Sequence, residues 1–296
     1  GAESPIDDCT WRPVEGRIQN GRGRTCALDR EGCELLSPSQ TVDPTLDFSD
    51  SAAVMDSYYP LCEQLLEKQL GGPGVVKVTA FDHNVRMAQA PSQTERTLKN
   101  AGSSTVHVPL GLVHGDYTAA SAPHRLQNLA QPPKANDVWR ERLSLGGTLL
   151  DVNVVQEAID GKRRYALINV WRSIDTQHAV SSYPLAFGNA QTVSPQDLRT
   201  LQIHYADRIG ENYLVVPNEA HEWLYFPDMT FDEVMLIKQW DSLGDMAHDC
   251  DDGNDRNQKK DGLATFAIHS AFATPPRNDA RPRKSIEVRC VCVWES

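Results

Sequence analysis

A histidine and an aspartate lie two residues apart within residues 111–118, directly after an apolar run. If this segment is a β-strand, His114 and Asp116 point to the same face, because alternate side chains of a strand share a face. An imidazole nitrogen and a carboxylate oxygen could then bind one metal ion. A set of two histidines and one carboxylate leaves coordination positions open, which suits a non-haem Fe(II) that must also bind a co-substrate and dioxygen. The pair therefore predicts two of the three ligands of such a centre.

The third ligand must come from another histidine of the chain. Most of the others lie in polar or loop-like surroundings and are interpreted as surface or structural residues: His83, His107, His124, His178, His204 and His248. Two candidates remain. His221 precedes Trp223 in an aromatic stretch, where it could equally form a pocket wall or a structural hydrogen bond, and His269 ends an apolar strand pattern.

An arginine and a serine open the last strand pattern, beyond His269. The planar guanidinium of Arg283 matches a carboxylate through two parallel hydrogen bonds, and the hydroxyl of Ser285 on the same face can donate a third. The two residues predict a clamp for the distal carboxylate of a dicarboxylate co-substrate. Arg289 lies on the same face if alternate residues point inward, and it is the reserve for this role.

The elements that must position these residues are mostly strands. Residues 1–48 have little periodicity and predict an irregular N-terminal arm, whereas residues 52–70 predict a helix that is broken or kinked near Pro60. Alternating or β-branched runs predict strands at 75–81, 107–114, 164–172, 213–217, 222–226, 230–241, 265–272 and 285–294. Short helices are predicted at 121–126, 137–142 and 194–199. The sum predicts one antiparallel sandwich or barrel domain over residues 49–296, with helical additions.

Composition limits the classes of partner. The net charge of −11 argues against nucleic acid, which is bound by clustered cations, and favours a small molecule. The chain lacks the roughly 18 consecutive apolar residues of a membrane span, so no membrane partner is expected. Seven cysteines without a Cys-x-x-Cys spacing, and no signal-peptide core in the opening residues, predict a reducing, cytoplasmic setting. A homodimer is left open.

Several segments, in this order along the chain, resemble a known family. They are residues 113–118 with Ser121 and Arg125, 168–172 with Pro184 and Leu185, 221–229, 232–242, 269–272 and 282–289. Together they resemble the Fe(II)/2-oxoglutarate-dependent dioxygenases. More narrowly, they are similar to the fungal hydroxylase/desaturase family that includes AsaB-like and CmcJ-like proteins and the gibberellin desaturase. The resemblance covers roughly residues 70 to 294.

This resemblance implies a mostly β fold with a double-stranded β-helix core of jelly-roll or cupin type. It implies His114, Asp116 and His269 as iron ligands, and an arginine of the last strand as the anchor of 2-oxoglutarate. The implied reaction uses Fe(II), 2-oxoglutarate and dioxygen on an unactivated C–H bond of a secondary metabolite. It releases succinate and CO2 and gives hydroxylation, desaturation or oxidative cyclisation.

Other residues are assigned less specific places around this site. Asn169 and Arg172 are expected to line the co-substrate or substrate side, or else to brace a strand as a buried polar pair. The aromatic residues that could shape a substrate pocket, or simply belong to the core, are Tyr117, Trp171, Tyr183 and Trp223.

The sequence also departs from the family. Gly115 replaces an asparagine that usually precedes the metal-binding aspartate, and a charged insertion spans residues 249–260. Two alternatives stay open at this stage. A zinc-dependent hydrolase could use the same three ligands but would leave Arg283 and Ser285 without a role, and a non-catalytic jelly-roll module could use His114 and Asp116 only as hydrogen-bonding residues.

Overall fold

A computed structural model describes residues 15–37, 41–71, 74–87, 111–135, 137–204, 209–247, 262–275 and 280–295. Its strands are β1 (Ile18–Asn20), β2 (Cys33–Leu36), β3 (Val75–Met87), β4 (His114–Gly115), β5 (Tyr165–Ser173), β6 (Leu185–Gly188), β7 (Leu198–His204), β8 (Ile209–Val215), β9 (Trp223–Tyr225), β10 (Val234–Asp241), β11 (His269–Ala271) and β12 (Lys284–Trp294). Its helices are α1 (Ser51–Ala53), α2 (Tyr59–Leu70), α3 (Ser121–Leu129) and α4 (Val152–Ile159), with a π-type turn at Val54–Tyr58 and single 3-10 turns at Ala190–Thr192 and Pro195–Asp197. The predicted mostly β fold with helical additions is confirmed.

The strands form two sheets. One has seven strands in the order β1-β9-β6-β11-β4-β8-β7, and the other has five in the order β2-β10-β5-β12-β3. Neighbouring strands are antiparallel except for β1 and β9, which are parallel. Such a non-sequential strand order requires strands far apart in the chain to pair, so residues distant in sequence can meet at one site.

Strand β5 shows how the sheets divide the core. Ala166, Ile168 and Val170 belong to an apolar cluster on one face of the five-stranded sheet, which the π-type turn and α2 cover with Tyr58 and Leu66 respectively. The alternate residues of β5 point to the other face, towards the seven-stranded sheet. There, two further apolar clusters contain Leu167 in one and Trp171 in the other. Asn169, a buried polar residue, lies between those two along the strand.

The long helical segment changes from a π-type turn to an α-helix near Pro60, where the sequence predicts a break or a kink. Asp50 caps it by accepting hydrogen bonds from the backbone N–H groups of Ala52 and Ala53. The π-type turn at Val54–Tyr58 ends just before the proline. Because proline has no N–H to donate and its ring crowds the preceding turn, a wider turn at this point lets the helix continue.

The expectation of an irregular arm over residues 1–48 is wrong for part of its length. β1 and β2 lie in this segment and join one sheet each, with β2 pairing with β10 and Cys33 fully buried. Strands of three and four residues are too short to show alternation, and their pairing partners lie about two hundred residues away. The helix predicted at 137–142 is a series of turns, while α4, β6 and β7 were not predicted.

The insertion at 249–260 and His107 lie outside the described residues. Among the helices that the structure does describe, none is long and apolar enough to cross a lipid bilayer.

Candidate metal and co-substrate site

Two neighbouring strands bring the two predicted histidine ligands together. His114 on β4 is the direct antiparallel partner of His269 on β11, and their ring centroids are 4.6 Å apart. Asp116 follows the short β4 strand. One ligand atom from each of the three residues lies within 4.8 Å of the others. The structure therefore brings His114, Asp116 and His269 into one constellation, across 155 residues of sequence (269 − 114).

Backbone carbonyls orient both imidazole rings. Nδ1 of His114 is 2.8 Å from the carbonyl oxygen of Leu112, and Nδ1 of His269 is 3.2 Å from that of Ala267. A ring that donates its Nδ1–H to a carbonyl keeps the lone pair on Nε2. Both rings thus present Nε2 as the metal-binding atom, the arrangement common among metal-ligating histidines.

Asn169 holds the carboxylate of the set. Its Nδ2 donates to Oδ2 of Asp116 at 3.2 Å, while Nε2 of His114 lies 3.4 Å from the other oxygen, Oδ1. Burial opposes ionisation of Asp116, but the hydrogen bond with His114 and the positive charge of His269 and His114 outweigh it and hold the pKa of Asp116 well below its usual value. The group is therefore a carboxylate, as a metal ligand must be.

The donor set fits a divalent iron. Two imidazole nitrogens and one carboxylate oxygen on neighbouring positions are the ligand types that bind non-haem Fe(II) and leave room for other ligands. In the protein without metal, burial lowers the pKa of His114, but its contact with Asp116 outweighs this and raises that pKa overall. Burial, followed by the neighbouring His114, lowers the pKa of His269.

Arg283 is a buried cation with spare hydrogen-bonding capacity. Its side chain is 3% exposed, its Nη1 donates to the carbonyl oxygen of Tyr183 at 2.5 Å, and its guanidinium lies 5.8 Å from the ring centroid of Trp171. Its Nε is buried and has no hydrogen-bond partner among the residues that the structure describes. Burial, followed by the nearby Arg86, lowers the pKa of Arg283 to about 9. A buried polar group that lacks a partner points to a ligand that supplies one.

Arg289, the reserve for the same role, is already neutralised. Its Nη1 lies 2.8 Å from Oδ2 of Asp82, and its Nη2 lies 3.4 Å from Oε1 of Glu287. Burial opposes its charge, but these carboxylates raise its pKa above the ordinary value. An anion would have to compete with two acidic side chains for Arg289, whereas Arg283 lacks such a competitor among the residues described.

The structure corrects the place expected for Arg172. This side chain points to the outer face of β5, where its Nε lies 3.2 Å from the hydroxyl of Tyr58 and its Nη1 donates to the carbonyl of Phe231 at 2.7 Å. It lies on the opposite side of the strand from Asn169 and Trp171, because residues one position apart on a strand alternate. Arg172 therefore braces the helical layer and does not line the site.

The remaining candidates are found as follows. Tyr117 packs beside Asp116 against the apolar cluster that contains Leu167, and Trp223 packs against the same cluster from β9. Tyr183 lies at the surface with a backbone φ of 46°, which is unusual for a residue with a side chain. His221 is not in the constellation: its Nε2 is hydrogen-bonded to Asp197 at 3.0 Å.

Sequence reasoning missed three charged residues around the site, namely Asp82, Arg86 and Glu287. Glu287 lies between Ser285 and Arg289 in the alternation of β12, and the other two alternate in the same way on β3. That alternation was the available signal. It was hidden because β3 extends to Met87, beyond the apolar part of the strand that ends near Phe81.

Known proteins share this fold and chain organisation. A family model described as an oxidoreductase/YMDC permease-like domain matches residues 2–145 and 150–293. The hydroxylase/desaturase efuI of Hormonema carpetanum is 27% identical over 286 residues, which cover 91% of this chain and 79% of that protein. An uncharacterised protein from the dcmA 3′ region of Methylophilus leisingeri is 34% identical over 174 residues, covering 57% of this chain and 77% of that protein.

The solved structure of the iron and alpha-ketoglutarate-dependent endoperoxidase NvfI matches with a TM-score of 0.70 at 22% identity, over 97% of this chain and 88% of that one. That likeness establishes the fold, a jelly roll as expected. The family match and the curated relatives establish the rest. The chain belongs to the oxidoreductase/YMDC permease-like domain family and, with the hydroxylases and desaturases it matches over most of its length, to the Fe(II)/2-oxoglutarate-dependent dioxygenases.

Proposed function

We propose that His114, Asp116 and His269 hold Fe(II) in this dioxygenase, and that Arg283 with Ser285 binds the distal carboxylate of 2-oxoglutarate. Bound iron and 2-oxoglutarate supply the oxidising chemistry, in which dioxygen is consumed and succinate and CO2 are released. The substrate is a small molecule of secondary metabolism, and an unactivated C–H bond of it is hydroxylated, desaturated or closed into a ring. The family and the relatives named above support this assignment.

The observation that carries the co-substrate assignment is the buried Arg283. Its unpartnered Nε supports a role in binding an anion, and Trp171 covers the guanidinium face. Ser285 is 1% exposed and lies on the same face of the strand pattern. A zinc-dependent hydrolase with the same three ligands would gain nothing from a buried cation here, since burying a charge without a partner is costly.

The charges around the site support a dianionic co-substrate. Three acidic side chains interact with three arginines in this region of the site: Asp82, Asp116 and Glu287, and Arg86, Arg283 and Arg289. These six charges cancel. Fe(II) adds two positive charges to a largely buried site, and 2-oxoglutarate, with its two carboxylates, restores neutrality. A buried site favours such a neutral combination because uncompensated charge is poorly solvated there.

The chain's own residues fix the geometry of the bound groups. The carbonyls of Leu112 and Ala267 hold the imidazole rings in the tautomer that presents Nε2, and Asn169 holds one oxygen of Asp116 so that the other can face the metal. Tyr117 flanks the carboxylate and is the residue we assign to the substrate side. Two sequence predictions are retained as part of this proposal: a cytoplasmic location, and a homodimer as one option for the oligomeric state.

Anaerobic spectroscopy tests the proposal. Fe(II) and 2-oxoglutarate added to the protein are expected to give the weak visible charge-transfer band of the chelate, and exposure to air with substrate is expected to release succinate. His114→Ala should abolish the band, whereas His124→Ala, which removes an exposed histidine of α3, should leave it unchanged. A band that persists in His114→Ala, or no band in the unmodified protein, would contradict the assignment.

A further inference from the structure

Arg86 faces the co-substrate end of the site from the neighbouring strand. In the β3–β12 pairing it is the direct partner of Ser285, so the two side chains stand on the same face of the sheet. Ser285 is in turn two residues from Arg283. The guanidinium of Arg86, the hydroxyl of Ser285 and the guanidinium of Arg283 therefore converge from two strands on one region.

The charge of Arg86 acts on both Arg283 and Asp116. After burial, Arg86 is the largest influence that lowers the pKa of Arg283. The pKa of Arg86 itself is lowered first by burial, and it also responds to the charges of Glu287, Arg289 and Asp116. Arg86 is thus within electrostatic range of both the proposed metal-binding aspartate and the proposed anchor arginine.

Two guanidinium groups that repel each other inside a protein call for an anion between them. The single acid that both sense, Glu287, is shared with Arg289, whose Nη2 it contacts at 3.4 Å. A carboxylate placed between Arg86 and Arg283 has two oxygens and about four lone-pair directions, so it can accept hydrogen bonds from both arginines at once.

We propose that Arg86 and Arg283 form a two-arginine clamp on the distal carboxylate of the co-substrate, and that Arg86 makes the enzyme selective for a 2-oxo dicarboxylate over a 2-oxo monocarboxylate. This inference rests on the proposed function, because it concerns the same 2-oxoglutarate site. It adds a residue from β3 to a set that the sequence placed wholly on the last strand.

Comparison of 2-oxoglutarate with pyruvate isolates the clamp. Both carry the 2-oxo carboxylate that chelates a metal, and only 2-oxoglutarate carries a second carboxylate. The protein is loaded with Mn(II), which supports no turnover, and each acid is titrated calorimetrically. A hydrogen bond to a charged group contributes enough that Arg86→Gln should weaken 2-oxoglutarate binding by roughly tenfold to a hundredfold. Pyruvate binding should stay the same, because pyruvate does not reach the clamp.

Matched variants complete the experiment. Arg86→Lys should recover part of the lost selectivity, since it keeps the charge but not the planar fork. Arg283→Gln should lose selectivity as Arg86→Gln does, and Arg140→Gln, at an exposed arginine, should behave like the unmodified protein.

Three results would overturn the proposal. Arg86→Gln with unchanged selectivity would remove Arg86 from the clamp. An equal loss of pyruvate and 2-oxoglutarate binding in Arg86→Gln would assign it to the metal or the fold instead. If the unmodified protein itself shows no preference for 2-oxoglutarate, the proposed function fails, and the clamp fails with it. If Arg283→Gln loses selectivity for 2-oxoglutarate while Arg86→Gln keeps it, the clamp fails but the proposed function stands.

Discussion

Replacing Arg283 by methionine should make the metal-free protein more stable while abolishing its response to 2-oxoglutarate. Arg283 is 3% exposed, and its guanidinium has no carboxylate partner among the residues described. Burial and the neighbouring Arg86 lower its pKa from the ordinary arginine value to about 9. Because a guanidinium keeps its proton at neutral pH, this lowering is a cost of folding, and at about 1.36 kcal/mol per pKa unit it amounts to roughly 5 kcal/mol.

The gain on substitution is smaller than this cost. Methionine keeps an apolar stem but loses the hydrogen bond to the carbonyl of Tyr183, and a hydrogen bond to a charged group contributes about 1.5–3 kcal/mol. The net expectation for Arg283→Met is a gain of about 2 kcal/mol in the free energy of unfolding. For a chain of 296 residues, such a gain raises the melting temperature by about 3 °C.

The assay is thermal and urea unfolding of the metal-free protein, followed by the same measurements with Mn(II) and 2-oxoglutarate. The unmodified protein should gain about 2.7 kcal/mol at a ligand concentration one hundred times the Kd, and Arg283→Met should gain none of the part that depends on 2-oxoglutarate. Lys284→Met, at the exposed neighbouring position, should change neither quantity. If Arg283→Met is less stable than the unmodified protein without metal, the guanidinium is compensated in the folded state and the reasoning is refuted.

Three further outcomes are expected. Asn169→Ala removes the hydrogen bond that orients Asp116 and should weaken Mn(II) binding about tenfold in calorimetry, and unchanged affinity would show that the carboxylate orients itself. Gly188→Ala would place a Cβ in collision with the side chain of Ile268, so it should cost about 1–3 kcal/mol of stability. Gly16→Ala, with open space around it among the described residues, should cost little. Burial disfavours protonation of His114, but its carboxylate partner raises its pKa overall. On acidification, Mn(II) affinity should therefore begin to fall at a pH above the ordinary histidine pKa of about 6.5. An onset well below that pH would contradict this expectation.

The three residues that we propose as metal ligands could be selected from the sequence because their signals are local. His114 and Asp116 are two apart on a strand, and His269 ends an apolar run, so each carries its own evidence. The structural reason to prefer Arg283 over Arg289 could not be found in local sequence signals. It depends on Asp82, which contacts Arg289 from a position 207 residues earlier in the chain. Only the register between β3 and β12 brings that acid to one arginine and leaves the other without it.

The same reason explains the errors in the fold. Long strands with a buried face, such as β5 and β10, were identified because their apolar residues follow one another. The edge strands β1 and β2 contribute only a few residues each, and their stability comes from pairing with β9 and β10 rather than from their own pattern. Tertiary pairing of this kind leaves no periodic trace in a three- or four-residue segment.

The departure from the family at Gly115 has a structural counterpart elsewhere in the chain. A Cβ at this position would lie 3.2 Å from Cδ2 of Phe266, whose ring stacks on Tyr213 at a centroid distance of 5.4 Å. The space that an asparagine side chain would need is therefore filled by an aromatic pair from two other segments. Glycine next to Asp116 lets this pair pack directly beneath β4. The aromatic packing then supports the short strand that carries His114, so the lost side chain is replaced by core packing and the position of the ligand is kept.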